Sequence, residues 1–265
     1  FGGVEAPSSG PARAIGSYAL GCLAGASVLA ADRPDFQAMR LSRNRRYGHP
    51  TLIAFVEELA AAAPGLGLDG LLIGDLSQPR GGPMPYGHTS HQIGLDVDIW
   101  LQPMPQPRLS PDARETAPFV SVLSTDGAAI DRSRFTEPMA RLMRRAAEDP
   151  RTARIFVHPL IKKALCEWPQ AGEGDARRAW LSRIRPWYGH DALFHGRRRR
   201  RDRPSLPRDQ TPPPHGDGCG APLAYWFTDE PYKPRPGTTP KGPLTLAALP
   251  AACRALATPV PQPRP

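Results

Sequence analysis

Between Pro50 and Ala63, apolar residues recur at helical spacing: Leu52, Ile53, Phe55, Val56, Leu59 and Ala60 share one face. Pro50 sits where a first helical turn tolerates proline, and Gly65 and Gly67 end the run. The period then changes. Residues 70–75, GLLIGD, are a short apolar stretch bounded by turn residues, which predicts a buried strand. Gly81, Gly82, Pro83 and Pro85 form a loop that leads to His88. From 93 to 99 the alternation is strict, with Ile93, Leu95, Val97 and Ile99 against Gly94, Asp96 and Asp98. A half-buried strand follows, with both carboxylates projecting from the same side.

Thr136 is placed to cap a helix that contains Pro138 and the amphipathic run Met139, Leu142, Met143 and Ala146. Residues 153–158 read as a strand, 159–168 and 176–184 as helices, and 244–256 as a short helix that packs back on the body. Proline density over 203–214 and 231–243 favours extended connectors. Residues 1–48 carry few periodic signals and read as an irregular N-terminal wrap; 228–265 form a Pro-rich C-terminal tail. With no internal repeat and no clear linker, one domain spanning 1–265 is expected.

Composition agrees with that picture. The chain has 34 prolines and 25 glycines in 265 residues, so loops and extended segments should rival helix. No stretch approaches the roughly 18 apolar residues of a membrane span. Residues 1–30 lack the charged and apolar regions of a signal peptide and the chain starts at Phe1, so it reads as a mature or trimmed form. Net charge is +9, which raises a nucleic-acid reading. Arg197 to Arg201 supply much of the excess, but no aromatic residues interleave them as base stacking requires. The run reads as a solvated basic loop, with an anionic polymer contact as the second reading and no nucleic-acid partner. Cys22, Cys166, Cys219 and Cys253 form no CxxC pair, which argues against a cysteine zinc site. Their even number and long spacing suit two disulfides in an oxidising compartment, against the alternative of buried free thiols. Spacing does not choose among the three connectivities.

Five of the seven histidines lie in two groups: His88 and His91, then His190 and His195 with His215 after them. The first group abuts the strand that bears Asp96 and Asp98. His91 and Asp98 would give a metal one nitrogen and one oxygen, and a third ligand from the second group leaves a fourth position for water, as in catalytic zinc sites. Asp96 is either a residue that orients a ligand or a turn-bonding aspartate. The bland reading of the histidines is structural hydrogen bonding to loops.

The segment SHQIGLDVDIW, residues 90–100, resembles the metal-binding motif of the penicillin-insensitive murein endopeptidases, in the LAS group of zinc peptidases. The resemblance continues through GSYALGC ending at Cys22, RRYGHP at 45–50, LIGDLSQPRGG at 72–82, RIFVHPLIKKALC at 154–166, IRPWYGHD at 184–191 and GDGCGAPLAYWF at 216–227. It implies an α+β fold in which a small antiparallel sheet carries Zn2+, surrounded by helices and long Pro-rich loops. It also implies an exported, periplasmic hydrolase of the D-alanyl–meso-diaminopimelyl cross-links between peptidoglycan stem peptides. Carried over by motif position, His91, Asp98 and His195 would bind zinc, with His88 and Asp126 linked to a second ion. His190 would stand near the bound water and substrate as a catalytic residue. The resemblance pairs Cys22 with Cys253 and Cys166 with Cys219. Trp187 and Tyr188 line the substrate groove or pack in the core.

Two departures stand out. Ala129 occupies a position where the family pattern has a histidine, and Leu193 replaces the first histidine of the pair that ends in His195. Leucine can neither shuttle a proton nor stabilise an oxyanion, so retained zinc with reduced or lost turnover is expected. The second reading is therefore a catalytically impaired homologue that binds peptidoglycan. From Leu193 to about Arg208 the length fits the family while the residues do not, the further cysteine pair usual in that loop is missing, and the fit resumes at Asp209. Two compensating frame changes or drift would each produce that pattern.

Overall fold

The computed structural model describes residues 1–171, 174–199, 216–233 and 244–257. Eleven strands and seven α-helices are present among them. β1 (Arg13–Ser17) and β2 (Leu20–Ala24) form a hairpin, and β3 (Ser27–Val28) pairs with β6 (Tyr47–Gly48). The remaining strands are β4 (Asp32–Arg33), β5 (Phe36–Ala38), β7 (Leu71–Ile73), β8 (Asp96–Trp100), β9 (Thr152–Val157), β10 (Ile184–Pro186) and β11 (Leu193–Arg198). They build one seven-stranded sheet in the order β10-β9-β11-β8-β7-β5-β4. The four central strands are antiparallel, and β10 and β5 join them by parallel pairing. The fold is α+β.

One face of this sheet is apolar. Ile73, Val97, Ile99, Ile155, Val157 and Phe194 enter a single core with α1 (Pro50–Ala62) and α3 (Glu137–Glu148). The six apolar positions read from the period of 50–63 are all buried. Each such large side chain contributes about 1.5–3 kcal/mol on burial, so this interface fixes the sheet's orientation. The 111–116 segment forms α2 (Pro111–Thr116), and α4 (Pro159–Cys166) follows β9 directly. The expected 176–184 helix divides into α5 (Gly174–Arg178), a 3-10 turn at Ala179–Arg183 and the start of β10. α6 (Ala221–Ala224) and α7 (Ala251–Ala257) complete the set. α7 is the expected late helix, fastened to β2 by the Cys22–Cys253 disulfide; Cys166–Cys219 ties α4 to the segment before α6.

The structure revises three local readings. Residues 1–48 are not irregular: they supply six short strands, two of which join the main sheet. β8 is buried on both faces rather than one, because the hairpin β1–β2 covers the side bearing Asp96 through Ala14 and Tyr18, packed on Ile93 and Leu95. Ladder bonding starts only at Asp96, and Ile93–Leu95 lie in the approach to the strand. Lastly, Arg197 and Arg198 are buried members of β11, not a solvated loop. Arg197 pairs with Asp96 and lies 4.1 Å over the Tyr18 ring; Arg198 pairs with Asp149 and lies 4.1 Å over Phe55. The paired carboxylate and aromatic face offset the desolvation of Arg197, whereas for Arg198 they do so only in part: burial still lowers its pKa to about 10 and leaves Nε and Nη2 without a hydrogen-bond partner. Arg199 is exposed, whereas Arg200, Arg201 and the connector at 203–214 lie outside the described residues. Of the 231–243 connector, Pro231 and Tyr232 form part of a 3-10 turn and 234–243 lie outside them.

Candidate metal centre

Register places the site. β11 runs antiparallel to β8 with His195 opposite Asp98 and Arg197 opposite Asp96. Directly opposed residues project to the same face, so two carboxylates, an imidazole and a guanidinium meet there. His91 arrives from the turn before β8 in the left-handed region, φ 67°. Such a backbone costs about 1–3 kcal/mol for a residue other than glycine and needs local support. Asp96 supplies it by accepting the His91 backbone N–H at 3.0 Å.

Three donor atoms converge. His91 Nε2 lies 3.1 Å from His195 Nδ1 and 3.5 Å from Asp98 Oδ1, and His195 Nδ1 lies 3.0 Å from the same oxygen. Three ligands of a tetrahedral ion at about 2.0–2.1 Å stand roughly 3.3 Å apart, so this triangle fits one. The protonation pattern agrees. His91 Nδ1 donates to the Leu76 carbonyl at 2.7 Å, which leaves Nε2 with a lone pair facing the Asp98 carboxylate. Burial holds the His91 imidazolium below its ordinary pKa, against the pull of Asp98. Burial also disfavours a charged His195, but Asp96 and Asp98 together outweigh it and raise the group to about 9. Both carboxylates are held well below the usual range despite their burial, Asp96 chiefly by Arg197 and His195, Asp98 by His91 and His195. Two carboxylates therefore face a positive charge at His195, and a divalent ion taking the place of its Nδ1 proton would add one further positive charge between them.

His195 Nε2 has no hydrogen bond of good geometry yet lies 3.2 Å from Asp96 Oδ1. The closeness is electrostatic and puts a carboxylate behind the imidazole, an arrangement that orients metal-ligating histidines. Asp96 also accepts from Arg197 Nε at 2.7 Å. The turn-bonding alternative for Asp96 is thus half true, since it braces the His91 turn and faces His195 together.

His88 approaches the other oxygen of Asp98. Its Nε2 is 3.5 Å from Asp98 Oδ2 and 3.1 Å from Asp75 Oδ2, and its ring lies 4.4 Å from that of His91. His88, His91 and Asp98 offer donor atoms within 4.8 Å of one another. Asp75 sits between His88 and two arginines, Arg45 at 2.7 Å and Arg43 at 3.0 Å; burial raises its pKa, and His88 with these arginines brings it down to about 2. Sequence reasoning assigned nothing to Asp75, Arg43 or Arg45, although all but Arg43 fall within quoted motifs. Their signal was a carboxylate and arginines in otherwise structural segments.

His190 flanks the triangle. Its ring centroid is 6.0 Å from that of His195, and Nδ1 donates to the Tyr188 carbonyl at 3.1 Å. Burial keeps it below the ordinary histidine range, hence neutral near pH 7. Leu193 packs against the apolar cluster of Met39, Leu72, Trp100 and Met104. The structure does not bring Asp126 to this cluster. It is exposed on a turn, where it accepts from Ser124 Oγ at 2.6 Å and the Ala128 N–H at 3.1 Å. Trp187 is exposed and Tyr188 half-buried, so neither is a core residue. His215 lies outside the described residues.

Comparison with known proteins identifies the lineage. The family model described as penicillin-insensitive murein endopeptidase matches residues 14–258. The chain belongs to this family. A penicillin-insensitive murein endopeptidase of Klebsiella pneumoniae subsp. pneumoniae is 40% identical over 253 residues, covering 96% of this chain and 89% of the relative. Proteins of the same name from Salmonella heidelberg and Salmonella typhi are each 42% identical over 250 residues, covering 94% of this chain and 88% of theirs. The span matched to the murein endopeptidase family contains the whole donor triangle, His88, His190 and both disulfides.

Proposed function

We propose that this chain is an exported zinc endopeptidase that hydrolyses D-alanyl–meso-diaminopimelyl cross-links in peptidoglycan, with His91 Nε2, Asp98 Oδ1 and His195 Nδ1 as the metal ligands. The observation that carries the reading is the donor triangle with edges of 3.0–3.5 Å, set in a chain of the murein endopeptidase family. Two disulfides support an oxidising compartment, here the periplasm. Among the described residues no helix is long and apolar enough to cross a membrane.

When bound, zinc lowers the pKa of a water toward 7 and polarises the scissile carbonyl. The remaining chemistry falls to the chain. Asp96 holds the His195 ring in place from behind, and the Leu76 carbonyl fixes the His91 tautomer so that Nε2 faces the ion. His190, neutral and with Nδ1 committed to Tyr188, presents Nε2 as the group that takes the proton and passes it to the leaving amine. His88, held by Asp75, stands beside the second oxygen of Asp98, outside the three-ligand set. Leu193 contributes no proton transfer, so turnover runs below that of a chain with histidine there.

Release of monomeric muropeptides from cross-linked peptidoglycan, with and without chelator, tests the reading. Chelator-sensitive release is expected. Tight peptidoglycan binding without release would instead support the second reading, a wall-binding homologue whose impairment the apolar seat of Leu193 favours.

A further inference from the structure

Beside the metal centre lies an open cavity of about 410 Å3, walled by His158, Tyr188, Trp226, Phe227, Asp229 and Tyr232. It is separate from the donor triangle but shares a wall with it. The Tyr188 carbonyl accepts from His190 Nδ1, and the His158 N–H donates to the His190 carbonyl at 2.8 Å. Its rings form a connected set: Tyr188 is 4.8 Å from Tyr232 and 5.6 Å from Trp226, and Trp226 is 6.1 Å from Trp187. Phe227 and Tyr232 are 49% and 65% exposed, far above the burial such rings reach when they serve a core. The platform is nonetheless fixed in place. The Cys166–Cys219 disulfide ties its segment to α4, Lys162 donates to the Asp217 carbonyl at 2.7 Å, and the Tyr188 hydroxyl donates to the Trp226 carbonyl.

We infer that this cavity binds the glycan strand of peptidoglycan, stacking N-acetylhexosamine rings on Trp226 and Tyr232. The inference rests on the proposed substrate class and adds a second contact to it. Aromatic faces carry negative charge density and attract the C–H faces of a pyranose ring. Asp229, Thr228 and His158 supply polar groups for the hydroxyls and acetamides at its edge. Charge selects the sugar over the stem peptide. Among the described residues no lysine or arginine lines the cavity, burial lowers the His158 pKa, and the one carboxylate among them, Asp229, repels the carboxylates that a stem peptide carries. The volume falls in the range of roughly 300–1,000 Å3 typical of small-ligand sites. A cross-link to be cut is tethered to glycan, so a sugar seat sharing the His190 wall would position the peptide in the metal centre.

The test uses the full chain and a peptide-free β-1,4-linked N-acetylglucosamine oligomer, followed by tryptophan fluorescence and calorimetry. Saturable binding is expected, weakened at least about tenfold by the pair Trp226→Ala and Tyr232→Ala and largely kept by Trp226→Phe. The same alanine pair should lower cleavage of intact sacculi about tenfold while cleavage of a glycan-free cross-linked peptide dimer stays at the wild-type rate. Absence of oligomer binding by the wild type overturns the inference. So does an equal loss on both substrates by a variant whose melting is unchanged, which would assign the cavity to peptide. Oligomer binding by a chain that cleaves neither substrate would refute the proposed activity and leave the sugar site standing.

Discussion

Asp96→Asn isolates the residue on which the site converges. The change keeps size and shape but removes the charge that faces His195 Nε2 at 3.2 Å and pairs with Arg197 Nε at 2.7 Å. Two separable effects follow. Arg197, only 8% exposed, becomes a buried cation without its carboxylate, and breaking such a pair costs about 3–5 kcal/mol. For a chain of this size that lowers the melting temperature by roughly 6–20 °C. Independently, His195 loses the carboxylate behind its ring, and removal of such a support typically weakens metal binding about 10–100-fold, or roughly 1.4–2.7 kcal/mol. Competition with a chromogenic chelator reads the second effect and thermal melting reads the first. The double variant Asp96→Asn with Arg197→Gln separates them: stability should recover in part as the orphaned charge disappears, while zinc affinity should not. Unchanged zinc affinity in Asp96→Asn would refute the role assigned to Asp96. Recovery of affinity together with stability would show that Asp96 acts through the Arg197 pair alone.

Leu193→His should raise muropeptide release at least about tenfold, since positioned acid–base groups contribute on the order of 10²–10⁴, with no change in zinc content; an unchanged rate would remove proton transfer from that position. Replacing Cys22 and Cys253 together by serine opens a cross-link spanning 231 residues, worth about 5 kcal/mol in the chain-entropy account, and should lower the denaturation midpoint and release α7 to proteolysis before the sheet unfolds. Lys162 donates to the Leu181 and Asp217 carbonyls, and its burial brings the ammonium from 10.5 to about 7. The folded chain therefore loses this proton near pH 7 while the unfolded chain keeps it to about pH 10.5, so unfolding takes up a proton between those limits and stability rises with pH across them. Urea unfolding should show Lys162→Met flattening that rise by up to about 1.4 kcal/mol per pH unit, and an identical pH slope in both chains would place the titration elsewhere.

What the sequence made legible was local. The helical period of 50–63, the alternation of 93–99 and the ARIFVH run each signal their element within a few residues, and the helix packs as its period requires, whereas β8 is buried on both faces. His91 and Asp98 were found because seven positions join them through a turn and a strand. His195 lies 97 residues beyond Asp98, so only its match to a family motif brought it forward, as with both disulfides. Asp75, Arg43 and Arg45 escaped notice because their partnership with His88 exists only after β7 and the loop before β8 close on each other. Arg197 and Arg198 misled for a physical reason. A charge run normally faces water, and nothing local reveals that Asp96, Asp149, Tyr18 and Phe55 wait across the sheet. Four of the strands of residues 1–48 are two or three residues long, too short for alternation to be seen, and the five-residue β1 and β2 lack a clean polar–apolar alternation.

In the proposed function, one zinc ion held by His91, Asp98 and His195 drives cleavage of a peptidoglycan cross-link. Titrating metal-free protein with zinc while following hydrolysis of a cross-linked muropeptide dimer tests it most directly. The account predicts that cleavage appears with the first zinc, saturates at one equivalent per chain, and is absent at every zinc level in His91→Ala. Undiminished cleavage by the metal-free chain, or stoichiometric zinc binding with no cleavage at all, would contradict it.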